Sequence, residues 1–228
     1  MSEAQASLLT PETRRYLANS YPHNHNYRIF GNRLWPGWQL YLRSRRITAL
    51  YPRNLESLVD LAVSKGYFAV NAAIRSGKPR VLGIDVNREE LAAAASIAGH
   101  LGLSNIRLEA LRLHELAANI ADYGGSFQTA LLINVYQYLY FGSGMMRDYY
   151  DSHTEIFRAL RTVCHDSLIF SNCVDFDRLP TGVQRTARAQ DRHRSYSTDK
   201  IRNAAEEFFR VEEHGTLGRR PLWRLTPQ

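Results

Sequence analysis

Leu58-Val59-Asp60-Leu61-Ala62-Val63-Ser64-Lys65-Gly66-Tyr67-Phe68 is the stretch whose reading decides the fold. An apolar run ends in an acid, Asp60. Three small residues follow at alternate positions, Ala62, Ser64 and Gly66, and a helical pattern begins. Small residues let the backbone approach a ligand closely, and a helix start presents unpaired N–H groups. A second apolar run, Val81–Ile84, ends in another acid, Asp85, 25 residues after Asp60. An acid closing the second strand of a βαβ unit is suited to ribose hydroxyls.

The same alternation continues along the chain. Apolar runs at Ile106–Leu108, Ala130–Val135 and Ser167–Ser171 follow the first two. Between the runs the pattern predicts helices at Gly66–Ser76, Arg88–Leu101, Leu111–Asp122 and Asp148–Val163. Asn87 with Glu90 three residues on has the form of a capped helix start. Strand and helix signals in alternation imply right-handed crossovers and a mostly parallel sheet covered on both faces. A helix is expected over Ser197–Phe208, and Phe209–Glu212 with Leu222–Leu225 reads as an antiparallel pair closing the sheet. The expected fold class is α/β, Rossmann-like, seven-stranded and mostly parallel. Ligands of such sheets lie at the carboxyl ends of the strands, where Asp60, Ser64, Asp85 and Asn134 would converge.

Residues 1–54 differ in texture and read as an N-terminal extension to a domain at 55–228. Thr10-Pro11 resembles an N-cap followed by proline at the first helical position. An aromatic run from Tyr21 to Trp38 is broken by Pro22, Gly31, Pro36 and Gly37, and a helix is expected from Trp38 to Leu50. The 174–196 region, with Pro180 and Gly182, reads as a long polar connection rich in arginine, a length more often functional than idle. The net charge is +7, and it is localised: residues 1–53 carry +6 and residues 178–194 carry +4, so the rest is acidic. Local positive fields favour encounters with anions.

With 44% hydrophobic and 22% charged residues, the chain is neither disordered nor fibrous. No run approaches the roughly 18 apolar residues of a membrane span. Met1–Arg15 lacks the order of a signal peptide. The two cysteines, Cys164 and Cys173, make no disulfide framework and have no zinc-ligand spacing. The expectation is a cytoplasmic protein with no membrane association; its oligomeric state is open.

These residues resemble the class I S-adenosylmethionine-dependent methyltransferases, over about residues 55–225. Asp60-Leu61-Ala62-Val63-Ser64-Lys65-Gly66 is similar to the family's acid-x-Gly-x-Gly-x-Gly loop and keeps the third glycine. The resemblance implies S-adenosylmethionine as cofactor, held by Asp60, Ala62, Ser64, Gly66, Asp85 and Asn134. Asp85 would take the ribose hydroxyls. Phe127–Leu139 looks like the family's fourth-strand motif, and Phe208–Leu225, with Arg220-Pro221-Leu222-Trp223, looks like its terminal hairpin. The acid that the family places beside the adenine has no match in Glu109-Ala110-Leu111-Arg112. A dinucleotide-binding fold would need its glycines earlier in the loop and lacks the terminal hairpin.

Methyl transfer asks mainly for alignment and exclusion of water. A base is needed only for a protonated acceptor. The candidates are His23, His25, His193 and His153, with Tyr136 as a further catalytic candidate. His23 and His25 have no third ligand beside them, so no metal site is expected. His114 and His165 read as structural. In many small-molecule methyltransferases such extensions form a lid; here Tyr27, Trp35, Trp38 and Tyr41 would line it. Arg185, Arg188 and Arg192 would bind a carboxylate or phosphate. The expectation is O- or N-methylation of a small, anionic metabolite. RNA methylation and a catalytically silent binding module are the alternatives.

Overall fold

The computed structural model describes residues 9–144 and 149–228. It divides into two compact units, Met1–Leu111 and Arg112–Gln228, and each is described in turn.

The first unit opens with α1 (Pro11–Asn19), capped by the Thr10 hydroxyl on the Thr13 amide, as the sequence implied. A short 3-10 turn, His23–His25, leads to a hairpin of β1 (Tyr27–Phe30) and β2 (Arg33–Pro36). The breakers at Gly31 and Pro36 therefore bound two strands that the sequence reading left as an irregular run. Next come α2 (Trp38–Thr48), β3 (Ser57–Asp60) and α3 (Tyr67–Ala73). After them run β4 (Arg80–Asp85), α4 (Arg88–His100) and β5 (Ile106–Ala110). The three strands β3, β4 and β5 pair in parallel. Asn87 caps α4 by accepting from the Glu89 and Glu90 amides, as its spacing suggested.

The second unit contains α5 (Leu113–Ala118), β6 (Phe127–Ile133), α6 (Tyr136–Phe141), α7 (His153–Val163) and β7 (Cys164–Ser171). Then come α8 (Thr181–Ala189), α9 (Thr198–Glu206), β8 (Phe209–Leu217) and β9 (Arg220–Pro227). β6 and β7 are parallel, and β9 runs antiparallel to both β7 and β8. The seven long strands form one sheet in the order β5-β4-β3-β6-β7-β9-β8. The expected architecture is observed.

Three local readings are corrected. The connection at 174–196 contains α8: Pro180 sits at its N-cap, Gly182 lies in its first turn, and Val183 and Ala187, four apart, bury one stripe. The fourth-strand stretch Phe127–Leu139 is two elements, because the chain leaves β6 at Ile133, turns through Asn134 at φ +60°, and starts α6 at Tyr136. The helix expected to Asp122 ends at Ala118, where a 3-10 turn, Ile120–Tyr123, takes over. Of the helix expected from Asp148, the first residue lies outside the described residues, and α7 begins at His153.

The turn into α6 is held by Asn172, a fully buried residue just beyond β7. Its Oδ1 accepts from the Val135 amide (2.8 Å) and the Tyr136 amide (3.0 Å), and its Nδ2 donates to the Leu132 carbonyl (2.7 Å). One side chain thus caps a helix and braces a strand end. Removing it strands buried polar groups, which costs far more than the bonds themselves. Asn172→Ala should destabilise the protein by about 3 kcal/mol, roughly 10 °C in Tm by thermal unfolding, whereas Asn119→Ala on the surface should leave Tm within a degree or so.

Candidate functional site

The loop from β3 to α3 is shaped by residues of the first unit alone. Positive φ falls at Ser64 (+48°) and Gly66 (+84°). A Cβ at Gly66 would lie 2.7 Å from that of Ala94 on α4, so only glycine fits. Ser64 holds a left-handed conformation that costs a non-glycine residue about 1 kcal/mol, and its contacts offset that cost. Its amide donates to Asp85 Oδ2 (2.9 Å), its hydroxyl lies 3.3 Å from His25 Nδ1, and its side chain also hydrogen-bonds Glu90.

Asp85 ends β4 half-buried. Its Oδ1 accepts from the Asn87 amide at 3.0 Å, so each carboxylate oxygen spends one lone pair on the backbone and keeps another for a ligand. Asp60 is only 3% exposed and is braced by the Ala62 amide. Burial, and then the negative charge of Asp85, raise its pKa to about 7. Glu90 is raised in the same sense by burial and by Asp85. Burial thus opposes the charged form of Asp60 and Glu90, while the Ser64 hydrogen bond and the Lys65 ammonium favour it in Glu90.

Lys65 is the residue the sequence reading passed over. It lies in the middle of the loop, yet it is 1% exposed. Its Nζ donates to the Ser20 carbonyl (2.7 Å), Asn26 Oδ1 (2.6 Å) and the Pro22 carbonyl (3.5 Å), and stands 5.5 Å over the Tyr16 ring. Its own carbonyl accepts from the Tyr27 hydroxyl at 2.5 Å. The N-terminal segment is thus fastened onto the loop. The signal available was a lone cation between small residues, with aromatic and amide side chains upstream.

The structure places the sequence-predicted residues unevenly. His25 is half-buried against Ser64, whereas His23 is exposed beside Tyr21. Tyr27 is buried and T-stacked on Tyr67, packed under the loop. Trp38 and Trp35 point outward, Trp38 stacked on Tyr41.

In the second unit, Asn134 Oδ1 is buried without a hydrogen-bond partner, an acceptor left open at the end of β6. Tyr136 is fully buried and 2.8 Å from His153 Nδ1, while His153 Nε2 lies 2.9 Å from the Ser195 carbonyl. A carbonyl can only accept, so Nε2 carries the proton and Nδ1 accepts from the phenol. Burial lowers the His153 pKa to about 4. Both ring nitrogens of His153 are thus engaged by the protein's own groups. His193 is half-buried near Phe176, with Asp191 Oδ1 3.9 Å from its Nδ1. Arg185 and Arg188 lie three residues apart on the exposed face of α8, Arg188 over the Phe176 ring at 5.5 Å.

The strand order, counted from β3, is 3-2-1-4-5-7-6 with the last strand pair antiparallel, the doubly wound arrangement of class I methyltransferases. Comparison with solved structures agrees. EvdMO1 superposes with a TM-score of 0.58 at 14% identity, covering 95% of this chain and 46% of that one. The N-methyltransferase NodS from Bradyrhizobium japonicum WM9 gives 0.56 at 13% identity, covering 83% and 97%. The bifunctional kinase-methyltransferase WbdD gives 0.54 at 20% identity over 82% of this chain, which spans only 37% of WbdD. No family model and no curated protein matches the sequence. At these identities the likeness establishes the fold: the chain has the class I methyltransferase fold.

Asp60 gives the site a pH signature. Its native pKa lies above the unfolded value, so the folded state holds a proton that the unfolded state releases between about pH 4 and 7. Its contribution to stability is full below the unfolded value and declines as pH rises through 7. Asp60→Asn should abolish that decline, worth a few kcal/mol. Urea unfolding at pH 5 and pH 8 measures it: the wild type loses stability over that interval by more than the variant.

Proposed function

We propose that the chain is an S-adenosylmethionine-dependent methyltransferase acting on an oxygen or nitrogen of a small, anionic acceptor. The observation that carries this reading is the joint geometry of the β3–α3 loop and Asp85. The loop turns back through two positive-φ residues under an acid whose oxygens each keep a free lone pair. Asp85 would hold the ribose hydroxyls, and the backbone of Ala62, Ser64 and Gly66 would face the amino-acid tail. The carboxyls of Asp60 and Glu90, both pushed up by burial, suit a ligand that carries positive charge.

S-adenosylmethionine, when bound, supplies a methyl group already activated by a sulfonium. The protein's own contribution is alignment, exclusion of water and, for a protonated acceptor, removal of a proton. His25 is the base in this reading. Its Nδ1 lies 3.3 Å from the Ser64 hydroxyl, which also bonds Glu90, and this contact orients the ring.

Calorimetry with S-adenosylhomocysteine on the full chain is the test. Binding should weaken about tenfold or more in Asp85→Ala, and Asp85→Asn, which keeps one acceptor oxygen, should fall between. His25→Ala should retain the binding and lose about 10²-fold in kcat on any accepted substrate. A wild-type chain that is folded and binds neither S-adenosylmethionine nor S-adenosylhomocysteine would overturn the proposal.

A further inference from the structure

The N-terminal segment has a surface that the site does not use. β1 and β2 pair Arg28 with Trp35 and Phe30 with Arg33. These four side chains are exposed, while Tyr27 and Ile29 are buried on the other face. The outward face of the hairpin is therefore a checkerboard of two guanidinium groups and two aromatic rings. Phe30 is 59% and Trp35 65% exposed, and the two rings meet edge to face. Gly37 separates β2 from α2, which has two stripes. Leu40, Ser44 and Ile47 are buried; Trp38, Tyr41, Leu42 and Arg45 recur at i, i+3, i+4 and i+7 and are exposed. Trp38 is 71% exposed.

A folded protein rarely leaves so many large apolar side chains together in water without a partner. The charge pattern indicates which partner. From Glu12 to Glu56 no Asp or Glu intervenes, while eight Arg do. A second copy of the chain would bring arginine against arginine across a two-fold axis. Aromatic rings and leucine interleaved with long cationic side chains, on a helix and the hairpin beside it, form the pattern that lies in a membrane–water interface. There the rings sit at headgroup level, and the Arg side chains are drawn to an anionic leaflet. We infer that the outward face of β1, β2 and α2 docks on the surface of an anionic lipid bilayer. Among the described residues no helix is long and apolar enough to cross a membrane, so this contact is peripheral.

Three tryptophans report on the docking. Trp35 and Trp38 are exposed and Trp223 is buried, so a change in emission comes from the proposed face. Vesicles of phosphatidylglycerol and phosphatidylcholine should shift the emission of the full chain to shorter wavelength and sediment with it, more weakly as salt rises. Pure phosphatidylcholine should bind at least about tenfold less. Phe30→Ser with Trp35→Ser, and separately Arg28→Glu with Arg33→Glu, should each lower anionic-vesicle binding by about tenfold while Tm stays unchanged. No sedimentation with anionic vesicles at low salt would overturn the inference. So would a concentration-dependent dimer lost on Trp35→Ser, or single-stranded RNA bound more tightly than the vesicles through the same residues. S-adenosylhomocysteine binding is read separately, so this inference and the methyltransferase reading fail independently.

Discussion

A buried ammonium organises the first unit. Desolvating Lys65 costs several kcal/mol unless each of its protons finds an acceptor. Ser20, Asn26 and Pro22 provide them, and the nearby Glu90 opposes the fall in pKa that burial causes. None of the three acceptors lies in the sheet. They belong to the segment between α1 and β1, which can satisfy Lys65 only by staying docked. Tyr27, donating to the Lys65 carbonyl, adds a second tie from the same segment. The N-terminal extension is thereby part of the loop's structure, and the loop cannot keep its shape if the extension leaves.

That tie bears on the strained backbone of the loop as well. Ser64 accepts the backbone strain because its side chain is engaged on two sides, by His25 from the extension and by Glu90 from α4. A glycine there would be freer and would lose both contacts. Ser64 thus connects the N-terminal segment to Glu90 on α4.

The sheet was legible because its strands are apolar runs with sharp ends, and Asp60 and Asp85 mark two of those ends. The terminal hairpin was legible for the same reason. α8 was hidden by its composition: arginines and Thr cover a two-residue apolar stripe, and Pro180 with Gly182 reads as a breaker until the proline is recognised as a cap. The β1–β2 hairpin was hidden because its outward face is aromatic, which erases the alternation of apolar and polar residues that marks a half-buried strand. Within the site, the small residues and the acids stood out by spacing. Lys65 did not, since a lysine in a loop is ordinarily solvated and only its burial reveals its role. Tyr136 and His153 drew notice as chemistry-bearing types, and their burial in a mutual hydrogen bond turns them into packing.

The dependence of the loop on the extension is tested most directly by amide hydrogen exchange in Lys65→Met, which keeps the aliphatic stem and removes the charge. The account predicts that amides across 16–36 and 62–66 lose protection together, while those of β4 and β5 keep theirs. Protection retained in both segments, or lost in one alone, would contradict it.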